Sequence, residues 1–195
     1  SNTGGCVVYG GASPITVTGL TNGTSYNFTV TATNAVGTSS PSTATNSVTP
    51  VTNPGAPTSV SAVGGNGEAT ITFTAPVSDG GATISYYTVT SNTGVTTYGG
   101  SSPITVTGLS NGTTYTFTVT ATNSYGTSTA SATSNSVVPA TVPDAPTIGT
   151  ATGGNGQATI TFSAPVSNGG SAITYYTGSS TTGGFVAYGG SSPIT

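Results

Sequence analysis

No lysine, arginine or histidine occurs in these 195 residues, nor any tryptophan or methionine. Glu68, Asp79 and Asp144 carry the only charged side chains at neutral pH, for a formal net charge of −3. Each absence closes a class of function. A chain without cations has nothing with which to grip phosphate, so nucleic acid is excluded as a partner, as is a membrane surface bound through a basic patch. No apolar run reaches the length of a membrane span, so no membrane insertion is expected in this stretch. Without His or Lys, a Ser or Thr hydroxyl has no ordinary general base beside it, and the three carboxylates stand at unrelated places. The chain is therefore read as no enzyme, with no catalytic residue, no cofactor and no metal, since calcium needs several oxygens converging on one point. A single cysteine, Cys6, cannot make a disulfide framework. It stands where later copies of the same text carry Val95 and Phe185, and so reads as a small apolar residue.

What is present is repetition. Tyr98-Gly-Gly-Ser-Ser-Pro-Ile-Thr105 recurs at 188–195, and as Tyr9-Gly-Gly-Ala-Ser-Pro-Ile-Thr16 near the start; the spacing is 89 residues, then 90. Gly19-Leu-Thr-Asn-Gly-Thr-Ser-Tyr26 returns as Gly108-Leu-Ser-Asn-Gly-Thr-Thr-Tyr115, and Asn66-Gly-Glu-Ala-Thr-Ile-Thr-Phe73 as Asn155-Gly-Gln-Ala-Thr-Ile-Thr-Phe162. A tandem array of one unit points to an extended structural or adhesive protein. The expected divisions are the second half of a repeat at 1–50, a complete repeat at 54–139, and the first part of a third at 143–195. Between them lie short joints, Pro50-Val-Thr-Asn-Pro54 and Pro139-Ala-Thr-Val-Pro143, which proline makes semi-rigid. Because Ser1 opens in mid-repeat, the expectation is a window on a longer array.

Within the unit, apolar residues alternate. Ala69, Ile71 and Phe73 interleave with threonines, as do Tyr115, Phe117, Val119 and Ala121. Period two places one set inward and the β-branched threonines outward, on strands. Asn66-Gly67, Asp79-Gly-Gly81, Asn111-Gly112 and Asn123-Ser-Tyr-Gly126 supply turns. The unit reads as all-β, about seven strands in about 89 residues, the rhythm of an immunoglobulin-like sandwich. Its expected core is Val60, Ile71, Phe73, Tyr87, Val89, Ile104, Val106, Leu109, Tyr115, Phe117, Val119 and Ala121. The 45 Thr and 27 Ser supply solubility in place of charge.

Pro57, Phe73-Thr-Ala-Pro76, Gly80-Gly81, Ile84-Ser-Tyr-Tyr-Thr-Val89, Gly108-Leu109, Tyr115-Thr-Phe-Thr-Val119, Asn123, Gly126 and Pro139 together resemble a fibronectin type III domain. The wording is similar to the tandem Thr/Gly-rich versions of very large bacterial surface proteins. The resemblance implies tandem seven-stranded β-sandwiches and a tyrosine corner, carried by Leu109 with Tyr115 and again by Leu20 with Tyr26. Phe73 and Phe162 stand where the family usually has a tryptophan.

Alternation turns Tyr86 and Tyr175 outward beside core Tyr87 and Tyr176, and Tyr98 and Tyr188, like Tyr9, precede Gly-Gly turns. Outward tyrosines can stack on sugar rings or on another molecule, or pack across their own sheet. Asn22, Asn27 and Asn111 fall in N-glycosylation patterns, a weak signal in so Thr-rich a chain. With no lysine to guard its edges, the sandwich is expected to present threonine ladders with free backbone groups, and so to associate with identical repeats. The expected function is a structural repeat of an extracellular or cell-surface filament, stalk or adhesin, giving length, stiffness and self-association. The alternative is a spacer or carbohydrate-contacting module of an extracellular glycan-degrading enzyme, with glycans as partners.

Overall fold

The Asn66-Gly67 turn, with Gly67 at φ +66°, folds β1 (Thr58–Gly64) back on β2 (Glu68–Thr74). The computed structural model describes residues 6–195, and residues 1–5 of the expected leading half-repeat lie outside the described residues. β5 (Ile104–Thr107) pairs with the other edge of β2, giving an antiparallel sheet of order β1-β2-β5. The facing sheet has the order β4-β3-β6, from β3 (Tyr86–Ser91), β4 (Thr96–Gly99) and β6 (Phe117–Thr122). Two sheets with alternating inward faces make a β-sandwich, and no helix occurs among the described residues.

Period two decides what lies between them. Ala69, Ile71 and Phe73 from β2, Tyr87 and Val89 from β3, Ile104 and Val106 from β5, and Phe117, Val119 and Ala121 from β6 form one buried cluster with Ala62, Leu109 and Tyr115. Each large side chain buried there contributes about 1.5–3 kcal/mol. Val60 was expected in the core but is only half-buried, because the pairing of β1 with β2 slips between Thr58 and Ser61. Phe73 packs on Tyr87 with ring centroids 4.8 Å apart.

The seventh strand is the main departure from the sequence expectation. Six regular strands build residues 58–122, and the seventh place is taken by a segment, 127–137, that does not alternate. Its buried residues are Ser128, Ser131 and Ser134, three apart rather than two. Each serine grips β6 twice. The N–H groups of Ser128, Ser131 and Ser134 donate to the carbonyls of Ala121, Val119 and Phe117 at 2.8–2.9 Å. The N–H groups of Ala121, Val119 and Phe117 donate in return to the serine Oγ atoms at 2.9–3.0 Å. The hydroxyls then donate to the carbonyls of Thr129, Ala132 and Asn135 in their own segment, at 2.7–2.8 Å. Three residues thus advance beside two of the partner. Asn135 closes the sandwich on the other side, its Oδ1 accepting from the N–H of Ala62 and its Nδ2 donating to the Ala62 carbonyl. This edge is therefore no ladder of free backbone groups, as the sequence suggests. A strand of period two cannot stay in register along it.

The same pieces recur on either side. β7 (Thr147–Gly154) pairs with β8 (Gln157–Ser163), and β9 (Tyr176–Ser179) with β10 (Val186–Gly189), repeating the register of β1 with β2 and of β3 with β4. Ser39, Ser42 and Thr45 repeat the stepped edge against Ala32, Val30 and Phe28. Cys6 is exposed, with its Sγ 3.6 Å from the Thr18 carbonyl, rather than packed like its counterpart Val95. The difference is one of setting, because residues 6–50 carry no strands of the β1–β3 kind to cover that side.

Replacing Ser131 by alanine leaves the buried N–H of Val119 without its acceptor. Ser131→Ala is expected to lower unfolding free energy in denaturant by about 1–3 kcal/mol. Exposed Thr129→Ala should change it by no more than about 0.5 kcal/mol.

Candidate functional site

The outward face of β3 and β4 carries Tyr86, turned outward by alternation, and Tyr98, which precedes a Gly-Gly turn. Tyr86 and Tyr98 meet edge to face, ring centroids 5.8 Å apart and planes at 73°. Tyr175 and Tyr188 repeat the arrangement at 6.0 Å and 70°. The rings thus pack across their own sheet and still present an aromatic surface: Tyr86 is 40% exposed, Tyr98 67%, Tyr175 60% and Tyr188 70%. Pairing stiffens each ring and leaves its outer face and phenol in water, on a sheet with no charged side chain nearby but with flanking threonines. Such a face offers stacking and neutral hydrogen bonds, and no ionic contact. Tyr9, 94% exposed, pairs with no other ring among the described residues.

Leu109 and Tyr115 are buried at the opposite end of the sandwich. The Tyr115 phenol oxygen accepts the N–H of Ser110 at 3.0 Å, which ties the crossover from β5 to β6. In the first copy Tyr26 accepts the N–H of Thr21 at the same distance, beside Leu20. That donated hydrogen bond holds the Tyr26 phenol below its usual range. Asn111 is engaged on both sides of its amide: Oδ1 accepts from Gly67 N–H and Nδ2 donates to Asn66 Oδ1, both at 2.8 Å. Those bonds bind together two turns at one pole and leave the amide committed to structure.

Asp79 serves geometry. Asp79 Oδ1 accepts the N–H of Gly81 at 2.8 Å, and Asn168 Oδ1 accepts the N–H of Gly170 at 3.0 Å in the next copy. An amide oxygen performs the same task, so the negative charge has no part in it. Among the described residues no three His, Cys, Asp or Glu side chains gather in a way that could hold a metal ion. The residues that sequence reasoning missed are the stepped serines. Their signal was present, as Ser39-x-x-Ser42-x-x-Thr45 and Ser128-x-x-Ser131-x-x-Ser134, but a period of three belongs to neither an α-helix nor an ordinary strand.

Comparison with known proteins agrees with this architecture. Residues 54–137 match the sequence profile of the fibronectin type III domain, and a domain of that family is present there. No curated protein matches the sequence. Among solved structures, titin domains A168–A170 align at 29% identity over 45% of this chain and 32% of that one, with a TM-score of 0.43. The twitchin kinase region from C. elegans aligns at 22% identity over 45% of this chain and 17% of that one, with a TM-score of 0.42. Domains d3–d4 of the rat CD45 extracellular region align at 15% identity over 68% of this chain and 72% of that one, at a TM-score of 0.51. The last likeness establishes the shared fold. The chain spans less than a third of the titin structure and a smaller part of the twitchin one.

Two substitutions check the structural tyrosines. Tyr115→Phe removes the acceptor for Ser110 N–H and should cost about 0.5–1.5 kcal/mol in equilibrium unfolding. Burial pushes the Tyr87 phenol above its ordinary value of 10.0. The unfolded chain then ionises first, so this stability is intact below about pH 10 and is lost as pH rises through the folded value. Tyr87→Phe should flatten the alkaline fall in stability measured by denaturation across that range.

Proposed function

We propose that this chain is part of a structural repeat array in an extracellular or cell-surface filament, stalk or adhesin, where it supplies length, stiffness and self-association. The observation that carries this reading is identity of detail between copies. The tyrosine pair, the corner bond, the stepped edge and the turn bonds all return after 89 or 90 residues with nearly the same distances. A binding protein tuned to one ligand has no need to repeat its framework so closely, whereas an array gains uniform spacing from it. Fibronectin type III domains are in general structural or adhesive modules, which supports the reading.

Self-association is assigned to the regular edges and to the paired tyrosines, since the serine-stepped edge is closed to a strand of period two. β4 is the natural contact, an edge strand that carries Tyr98 on its outward face. Contact with a glycan is the second reading, favoured by the exposed, uncharged tyrosine pairs; it would place the repeat as a spacer or carbohydrate-contacting module beside a glycan-degrading domain.

Sedimentation of the 195-residue protein, with electron microscopy of the same samples, tests the first reading. Assemblies should grow with concentration and persist from low to high salt, because no ion pair is available to screen. Tyr98→Ser with Tyr188→Ser should reduce them at least severalfold while the thermal transition is kept. Protein that stays monomeric at high concentration in both salts overturns self-association, and retention on a polysaccharide column under those conditions favours the glycan reading.

A further inference from the structure

The joints between copies are built of backbone. At the first, the Asp79-Gly80-Gly81 turn after β2 sits against the linker and against the Asn22-Gly23 turn of the copy before it. Thr52 N–H donates to the Gly80 carbonyl at 2.9 Å, Gly55 N–H to the Ser78 carbonyl at 2.9 Å, and Gly23 N–H to the Pro50 carbonyl at 2.9 Å. At the second joint Thr141 N–H donates to the Gly169 carbonyl at 2.8 Å, Asp144 N–H to Ser167 at 3.0 Å and Gly112 N–H to Pro139 at 2.9 Å. Each bond of the first joint thus returns 89 residues later. The turns are also held alike from within, by Ser78 and Asp79 at one and Ser167 and Asn168 at the other.

The approach leaves no room for a side chain. A Cβ on Gly80 would fall 2.1 Å from the Thr52 carbonyl oxygen, and one on Gly81 2.2 Å from the nitrogen of Gly23. On Gly169 it would meet Thr141 O at 2.1 Å, and on Gly170 the nitrogen of Gly112 at 2.4 Å. All four glycines also lie at positive φ, between +73° and +90°. In the complete module a third element closes on the linker. Asn123 Nδ2 donates both to the Thr52 carbonyl at 2.8 Å and to the Asp79 carbonyl at 2.7 Å. The linker is thereby held by its own module's two turns and abuts a turn of the preceding one.

We propose that the diglycine turn of each module and the Asn-Gly turn of the module before it form a head-to-tail coupling that fixes the orientation of successive copies. The partner that fits each Asn-Gly end is another copy of the module, and the array is a rod of uniform repeat rather than a string of independent beads. This deepens the reading of the chain as a structural array and rests on it. The coupling has no ionic part, and so it is indifferent to salt.

The test is a distance measurement by dipolar spectroscopy on the full 195-residue protein, with Cys6→Ser and spin labels at Val77→Cys and Val166→Cys. These are equivalent, fully exposed positions in successive modules, and the span between them includes the second joint. One narrow distance distribution, the same in low and high salt, is expected. Gly170→Ala sets a methyl group against the backbone of Gly112 and should broaden or shift it. Gly94→Ala is the control: Gly94 lies at φ +88° with nothing within 4 Å of its Cβ position, so the distribution should stay narrow. If Gly170→Ala unfolds the last copy, four residues inserted between Thr141 and Val142 leave both modules intact and should broaden the distribution. A broad distribution in the labelled parent, or one that neither Gly170→Ala nor the insertion alters, overturns the coupling. Failure here is separable from failure of the array reading: flexible beads that still assemble refute the coupling alone, whereas a narrow distribution in a protein that never assembles refutes self-association alone.

Discussion

The structure depends on hydrogen bonds between neutral groups, because the chain has almost nothing else with which to order its polar atoms. Three carboxylates and no cation permit no ion pair between side chains. Each polar group withdrawn from water has to find a hydroxyl, an amide or the backbone, at a net gain of about 0.5–1.5 kcal/mol per bond and a larger loss if the partner is missing. Among the described residues, no buried side-chain nitrogen or oxygen lacks a partner. Serines 128, 131 and 134 satisfy the outer edge of β6, Ser102 accepts the N–H of Phe73, and Asn111 joins Asn66. Stability built this way does not vary with ionic strength.

The same constraint explains which residues the copies exchange freely. Asp79 becomes Asn168 because only an acceptor oxygen is required above the diglycine turn. Ser134 has Thr45 as its counterpart because either hydroxyl can accept from one strand and donate to its own. The glycines at the joints have no such latitude, since backbone occupies the place of their side chains.

Much of this was legible in the sequence. Alternation located β2 and β6, because a half-buried strand of period two imprints itself on side-chain type, and Tyr87, Val89, Ile104 and Val106 of β3 and β5 stood in the expected core. Tyr86 and Tyr175 were assigned outward by the same rule, and Tyr98 and Tyr188 by their place before Gly-Gly turns, but their mutual packing depends on the register of β3 with β4, which one strand's pattern does not encode. The stepped edge escaped because its bonds run through side chains. The serines at 128, 131 and 134 looked like solubilising residues in a chain already crowded with hydroxyls. The joints were expected as short and semi-rigid, but the part of the diglycine turns in them escaped for another reason: glycine is the expected residue in any turn, and nothing in Asp79-Gly80-Gly81 distinguishes a free turn from one pressed against its neighbour.

The serine-stepped segment also differs from the strand beside it in length of chain. Residues 128–137 run alongside 121–115, so nine residue steps cover the ground of six. At about 3.3 Å per residue in an extended strand, each module holds on the order of 10 Å of slack contour along one edge. That slack is taken up by hydroxyls rather than by core side chains. Repeated along an array, it amounts to a reserve of extension stored in series, outside the packed interior of every module.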